Sequence, residues 1–217
     1  MQASDEAGIW RDRGHAGALL GQRLAPQVHH HQDTTVMGIP PGGIEVAAAL
    51  AAVLQLPLSC WSVQRLWLPG AEPQPIGALA PGNVQLLDPH GLRRHGLEGD
   101  GCQALLRRQA RRLERDQRRF GDPGPAELSH RHLILVDEAI RSGLAMGAAL
   151  LSLRALYPAS ITVAAPVACQ EAIARLDPLA DGVVVLQPVE QLPRLSDWFA
   201  SLPPLGPRQV IALLRGS

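Results

Sequence analysis

Apolar residues along this chain fall into short runs separated by loop-forming residues, and two of the runs repeat one grammar. Thr35-Val36-Met37-Gly38-Ile39 ends in Pro40-Pro41-Gly42-Gly43 and leads into an Ala-, Val- and Leu-rich stretch over 44–54, which predicts strand, tight loop and helix. Leu133-Ile134-Leu135-Val136 is followed by Asp137-Glu138-Ala139-Ile140-Arg141-Ser142-Gly143 and then by 144–156, where Met146, Ala149, Leu150, Leu153 and Leu156 keep helical spacing. These are two βα units. Further apolar runs over 58–63, 161–167 and 183–186 are bounded by Pro, Asp or Gly, the pattern of strands buried on both faces.

Strands alternating with helices predict a parallel sheet, with a chain of this length forming one α/β domain over 1–217. Residues 77–80 and 84–87, separated by Pro81-Gly82-Asn83, predict a hairpin attached to that sheet as an excursion. Residues 103–120 predict a long helix with Leu106, Ala110, Leu113 and Phe120 on one stripe and seven arginines from Arg107 to Arg119. That charge run reads first as a solvated face, with an anionic partner or a subunit contact as the other reading. The segment 196–216, carrying Trp198, Phe199, Val210, Leu213 and Leu214, is expected to pack back on the body.

Composition narrows the chemistry. Hydrophobic residues make up 46% and charged residues 18%, a globular balance. Lys+Arg 20 against Asp+Glu 20 leaves no overall field to attract nucleic acid or an anionic membrane, so neither is expected as the main partner. Every basic residue is arginine, which excludes lysine Schiff-base and P-loop lysine chemistry. Cys60, Cys102 and Cys169 form no Cys-x-x-Cys pair, no apolar leader opens the chain and no run of about 18 apolar residues occurs, so a cytoplasmic location is expected.

The candidate site is the loop 137–143. In an open α/β sheet ligands bind at the carboxyl ends of the strands. Backbone N–H groups around 141–145, the Ser142 hydroxyl and the helix dipole can hold a phosphate, while Asp137 and Glu138 can accept hydrogen bonds from ribose hydroxyls. The alternative is structural: Asp137 ends a strand and Ser142 caps a helix. Two adjacent acids after an apolar strand are costly without a polar occupant, which favours a ligand.

Residues 133–145 resemble the phosphoribosyl-diphosphate (PRPP) motif of type I phosphoribosyltransferases. The whole chain, from Arg11-Asp12-Arg13 with Ala16-Gly17 to Val210-Ile211-Ala212-Leu213-Leu214, is similar to a bacterial phosphoribosyltransferase family of unassigned substrate. Gly38-Ile39-Pro40-Pro41-Gly42-Gly43 matches the family's Pro-Arg-Gly-Gly loop, and Gln64-Arg65-Leu66 with Pro69-Gly70 its Arg-Lys-Leu segment. Ile76-Gly77-Ala78, the basic helix around Arg112-Leu113-Glu114-Arg115, Ala165-Pro166-Val167-Ala168 and Asp181-Gly182-Val183 follow in order.

The resemblance implies a Rossmann-like parallel core with helices on both faces and a Mg²⁺-dependent transfer of 5-phosphoribosyl from PRPP to a small nitrogenous, nucleobase-like acceptor with pyrophosphate release. It implies that Asp137 and Glu138 grip the ribose and meet the Mg²⁺ that PRPP carries. It also implies that Ala139, Ile140, Arg141, Ser142, Gly143 and Ala145 surround the 5-phosphate, and that Pro41, Gly42 and Gly43 take the pyrophosphate. Arg65 stands in for the family's cationic lysine. A homodimer is the prior for assembly.

Several positions depart from the family. Pro41 replaces an arginine and removes a backbone donor, and Glu45 adds a negative charge one turn into the next helix. Ala139 replaces glycine, Leu144 alanine, and Ala145 a threonine whose hydroxyl would reach the phosphate, worth roughly 1.5–3 kcal/mol. Arg141 stands where the family has a small residue, Gln64 where it has arginine, and Gln74 where it has an acid. These departures keep a second reading open, a non-catalytic relative that binds PRPP or a nucleotide, and a third as a structural or partner-binding relic. His29-His30-His31, His130, His132, His90 and His95 show no metal-ligand pattern. No nucleophile elbow or dinucleotide fingerprint is present, and the scattered tryptophans make no stacking platform.

Overall fold

The computed structural model describes residues 10–67, 75–96 and 100–216. Helix α1 (Arg13–Leu24) is capped by Asp12, whose carboxylate accepts the His15 N–H at 2.7 Å. Strand β1 (Thr34–Gly38), helix α2 (Gly42–Leu54) and strand β2 (Leu58–Cys60) follow, then strands β3 (Gln64–Trp67), β4 (Pro75–Ala80) and β5 (Val84–Leu87). Helices α3 (Pro89–Arg94), α4 (Asp100–Phe120) and α5 (Pro125–Leu128) lead to strand β6 (His132–Val136), helix α6 (Leu144–Arg154), strand β7 (Ser160–Cys169), helix α7 (Gln170–Leu176), strand β8 (Gly182–Val189) and helix α8 (Pro207–Arg215).

The main sheet has five strands in the order β2-β1-β6-β7-β8, all pairs parallel. Side-chain alternation along the central strands explains why both faces are covered. Met37, Leu133, Leu135, Val163 and Ala165 point to one side and pack with Met146, Ala149, Leu150 and Leu153 of α6. Val36, Ile134, Val136 and Ala164 point to the other and meet Leu20 and Leu24 of α1 and Val46, Ala47 and Leu50 of α2. Continuous apolar runs are therefore required, and this is what the central strands show.

Three expectations need correction. The hairpin β4–β5 is not hydrogen-bonded to the main sheet; with β3 it forms a separate antiparallel sheet. The run 58–63 splits, since β2 ends at Cys60 and the chain turns away before β3. The Asp122 carboxylate holds that turn, accepting from Ser62 N at 2.8 Å, Ser62 Oγ at 2.7 Å and Cys60 Sγ at 3.0 Å. Strand β8 is longer than 183–186 and only partly buried, because it lies at the sheet edge.

The small sheet lies beside α6, where Ser152 Oγ donates to the Pro81 carbonyl at 2.6 Å. Its other apolar groups, Leu66, Ile76 and Leu79, are covered by Leu92 of α3 and by Leu106 and Leu113 of α4. Trp10 and Trp198, far apart in sequence, meet with ring centroids 6.0 Å apart, and Phe199 lies 5.4 Å from Trp10. Trp10 and Phe199 are buried, so this cluster ties the two chain ends together and is not an open platform.

Candidate functional site

At the carboxyl edge of the main sheet the chain leaves β6 at Asp137 and crosses to α6. Asp137 N donates to the Ala164 carbonyl at 3.2 Å, and Ile140 bridges to β7 through Ile140 N to Val167 O at 3.0 Å and Cys169 N to Ile140 O at 2.9 Å. Ile140 is buried, so this one residue pins the middle of the loop. Gly143 precedes α6 with φ of 78°, in the left-handed region where a β-carbon is unfavourable. The first N–H groups of α6 have no partner within the helix.

Ser142 is not the helix N-cap. Gly143 holds that position, and Ser142 Oγ is 3.4 Å from Leu144 N. The hydroxyl makes no strong structural bond.

The loop walls a cavity of about 340 Å³ lined by Asp137, Glu138 and every residue through Met146, with Arg65, Trp67, Pro75 and Gly77 of the small sheet opposite. Pro41 lines it as well. All residues that the family resemblance assigned to a ligand line this cavity except Gly42 and Gly43, which are buried behind it. Gln74, Pro69 and Gly70 fall outside the described residues.

Both acids are engaged by arginines. Arg65 Nη2 lies 2.5 Å from Asp137 Oδ2, and Arg13 Nε lies 2.6 Å from Glu138 Oε2. Arg13 is itself buried, donates to the Pro203 carbonyl at 2.8 Å and lies 3.5 Å from Glu45 Oε2. Burial pushes the Asp137 carboxyl above its ordinary pKa; Arg65 opposes the shift and Glu138 adds to it. Burial works against the Arg65 guanidinium, yet the charge of Asp137, its hydrogen bond and Glu138 hold that group above the ordinary arginine value. Arg65 is therefore a fixed cation between Pro40, whose carbonyl it meets at 3.3 Å, and Asp137.

The loop after β1 is packed shut. A β-carbon on Gly42 would overlap the Glu138 carboxylate, and one on Gly43 would come 2.8 Å from the Val136 carbonyl and 3.0 Å from Asp137 Cα. The Pro40-Pro41 bond is cis. Glu45 sits in the first turn of α2 and faces Arg13, so its charge is compensated there.

Two features escape sequence reasoning. Helix α1 enters it only as landmarks, although the Asp12 cap and the spacing of Ala16, Leu20 and Leu24 are legible. The reach of Arg13 to Glu138, 125 residues away, has no local signal. His30 and His132 stack at 4.4 Å, but among the described residues no group of three His, Cys, Asp or Glu could hold a metal ion. Gln64 donates to Asp116 at 2.6 Å on α4 instead of facing the cavity. No helix among the described residues is long and apolar enough to cross a membrane.

Comparison with known proteins gives a consistent result. The family model described as "Phosphoribosyl transferase domain" matches residues 12–200. Two Mycobacterium tuberculosis proteins, Rv0571c of strain H37Rv and MT0597 of strain CDC 1551, provisionally named phosphoribosyl transferases, are each 33% identical over 181 residues, 82% of this chain. The chain spans 40% of the length of these relatives. The crystal structure of TT1426 from Thermus thermophilus superposes with a TM-score of 0.69 at 32% identity, covering 94% of this chain and 97% of that one.

Proposed function

Because the chain belongs to the phosphoribosyl transferase domain family, with the fold of type I phosphoribosyltransferases, we propose that it transfers a 5-phosphoribosyl group from PRPP to a nitrogenous, nucleobase-like acceptor and releases pyrophosphate, as a step of nucleotide metabolism. One observation carries this reading: two carboxylates, a hydroxyl held only by a 3.4 Å contact, a helix N-terminus and a fixed guanidinium converge on one cavity at the carboxyl edge of the sheet.

The 5-phosphate is assigned to the N–H groups of Gly143 to Met146 and to Ser142 Oγ, where the helix dipole adds to the hydrogen bonds. Asp137 and Glu138 face the ribose hydroxyls. Arg13 and Arg65 orient these carboxylates through the ion pairs described above, so the site is arranged before substrate arrives. Arg65 stands on the pyrophosphate side beside Pro41 and stabilises charge that develops as the C1–O bond breaks. A paired carboxylate suits Mg²⁺ that is carried largely by substrate phosphates, with Asp137 and Glu138 as the chain's own ligands. When bound, Mg²⁺ supplies neutralisation of the leaving pyrophosphate.

A second reading has its own observation. Pro41 offers no N–H, Gly42 and Gly43 are sealed behind Glu138, and Arg65 is already committed to Asp137, which weakens the pyrophosphate side relative to the phosphate side. On that reading the chain binds PRPP or a nucleotide without turnover. Calorimetric titration of PRPP with Mg²⁺ into the wild type and into Asp137→Asn/Glu138→Gln tests the site. Binding that the double substitution removes, together with pyrophosphate release in an acceptor screen, supports transfer. Binding without release with any nucleobase-like acceptor leaves the second reading, and no binding by folded wild type rejects both.

A further inference from the structure

The seven arginines of α4 are all exposed, but they do not share one surrounding. Gln109, Arg112, Arg115, Asp116 and Arg119 recur on one side of the helix, at separations of three and four residues, and all five line a second cavity of about 700 Å³. Its other walls come from Ser62, Val63 and Gln64 ahead of and within β3, from the Pro40-Pro41 loop, and from the start of α8 at Leu205, Pro207 and Val210. This cavity meets the first one at Pro41, Arg65 and Trp67, which line both.

The charge balance inside it is unusual for a cavity wall. Among the described residues Arg112, Arg115 and Arg119 make no hydrogen bond or ion pair, even though Asp116 lies four residues after Arg112 and three before Arg119. The Asp116 carboxylate accepts from Gln64 Nε2 at 2.6 Å, which directs it towards β3. Three unpaired guanidinium groups, beside Arg65 with its Asp137 partner, thus face one concavity with a single carboxylate that is already occupied. A surface stripe of like charges is ordinarily relieved by neighbouring acids or by solvent on a convex face; here the helix presents them along a concave wall.

A second observation is independent of charge. Gln109 is 7% exposed, lines the same cavity, and its side-chain Oε1 has no hydrogen-bond partner. A buried amide left unpaired costs roughly 1–3 kcal/mol, so such groups are normally satisfied by a ligand or an ordered water. Guanidinium groups along one wall match a ligand that offers several anionic oxygens, while the buried Oε1 of Gln109, itself an acceptor, calls for a water and not for an anionic oxygen. Guanidinium forks suit phosphate oxygens in particular.

We propose that the cavity between α4, β3 and α8 is a polyphosphate-binding site, taking a chain of at least two linked phosphates on Arg112, Arg115 and Arg119. The shared boundary at Pro41 and Arg65 allows two sources for that chemistry: the diphosphate arm of a phosphoribosyl donor extending out of the first cavity, or a separate polyphosphate that sits beside it.

Titration of inorganic tripolyphosphate at fixed ionic strength into the wild type and into Arg112→Gln/Arg115→Gln/Arg119→Gln is the test. The three side chains are exposed and make no structural bonds, so the melting temperature should not move. Tripolyphosphate should bind the wild type and bind the triple variant at least roughly tenfold more weakly, since each lost charge-assisted contact is worth about a factor of ten. Should the triple variant melt lower, Arg115→Gln alone replaces it, with severalfold weakening expected. Ribose 5-phosphate, with one phosphate, reports the first cavity and should bind both proteins alike; its failure to bind would count against the proposed transfer and not against this site. Weaker binding of PRPP by the triple variant identifies the donor's diphosphate as the occupant, and unchanged PRPP binding identifies a separate polyphosphate. Tripolyphosphate binding that is absent from the wild type, or indifferent to the substitutions, overturns the proposal.

Discussion

The two βα corners of this chain share one sequence grammar and have opposite fates. After β1, Pro40-Pro41-Gly42-Gly43 turns so tightly that its glycines lie against the Glu138 carboxylate, the Val136 carbonyl and Asp137 Cα. After β6, seven residues intervene before α6, Ile140 ties the middle of the loop to β7, and the rest stands away from the body and encloses a cavity. Loop length and the small residue at the contact decide the difference. A corner without side chains allows its neighbour to close over it, and the closed corner then becomes the wall against which the open one is built.

The strongest way to break that comparison is to put a side chain into the closed corner. Gly43→Ala sets a β-carbon against backbone on two sides, at 2.8 and 3.0 Å, and backbone cannot step aside as a side chain can. Alanine is the better helix former, by about 1 kcal/mol, but overpacking costs about 1–3 kcal/mol and the displaced atoms belong to the strand end that carries Asp137. Gly43→Ala should lower stability by roughly 1–2 kcal/mol in denaturant unfolding and abolish measurable PRPP binding. The nearest atoms to a β-carbon at Gly42 belong to the Glu138 carboxylate, a side-chain end that can swing away at the cost of its ion pair with Arg13, so Gly42→Ala should lose less stability. Equal losses for the two variants would mean that the closed corner is not defined by its backbone contacts.

The open corner predicts the reverse, a change in binding without a change in stability. Ser142 Oγ has only a 3.4 Å approach to Leu144 N, so Ser142→Ala should leave the melting temperature within experimental error. A hydrogen bond to a phosphate is worth roughly 1.5–3 kcal/mol, so ribose 5-phosphate should bind about tenfold to a hundredfold more weakly. A loss of stability with binding intact would reassign Ser142 to a structural role.

Both corners were legible from sequence because a strand buried on two faces must be continuously apolar and because Gly, Pro and adjacent acids mark where it stops. What could not be read was how far the chain reaches across itself. Arg13 is one arginine among many in the sequence, and only the packing of α1 beside α2 brings it to Glu138. Residues 64–67 and 75–80 hold few β-branched or aromatic residues, so their strands rest on pairing partners set by tertiary geometry, and the turn held by Asp122 separates their sheet from the main one. The arginines of α4 are exposed, as a solvated face requires, and only the tertiary structure shows that α8 and β3 stand beside three of them.

That Asp122 turn supports the closed corner from behind, since Trp61 N donates to the Gly38 carbonyl at 3.1 Å and Cys60 packs with Ile44 of α2. Its effect is the smallest of those considered and is best read through pH. Burial pushes the Asp122 carboxyl above the ordinary aspartate value, against the hydrogen bonds from Cys60 and Ser62 that favour the charged form. A raised pKa means the folded state holds the proton more tightly than the unfolded state. The associated stability is fully present below the unfolded pKa and is lost as pH rises through the folded one. Asp122→Asn removes this titration while keeping an acceptor for the Ser62 N–H. The melting temperature of the wild type should therefore improve relative to Asp122→Asn as pH falls through the acidic range just above the ordinary aspartate pKa. A difference that stays flat across that range would show that the hydrogen bonds cancel the burial, and that the turn holds the closed corner with a fully ionised carboxylate.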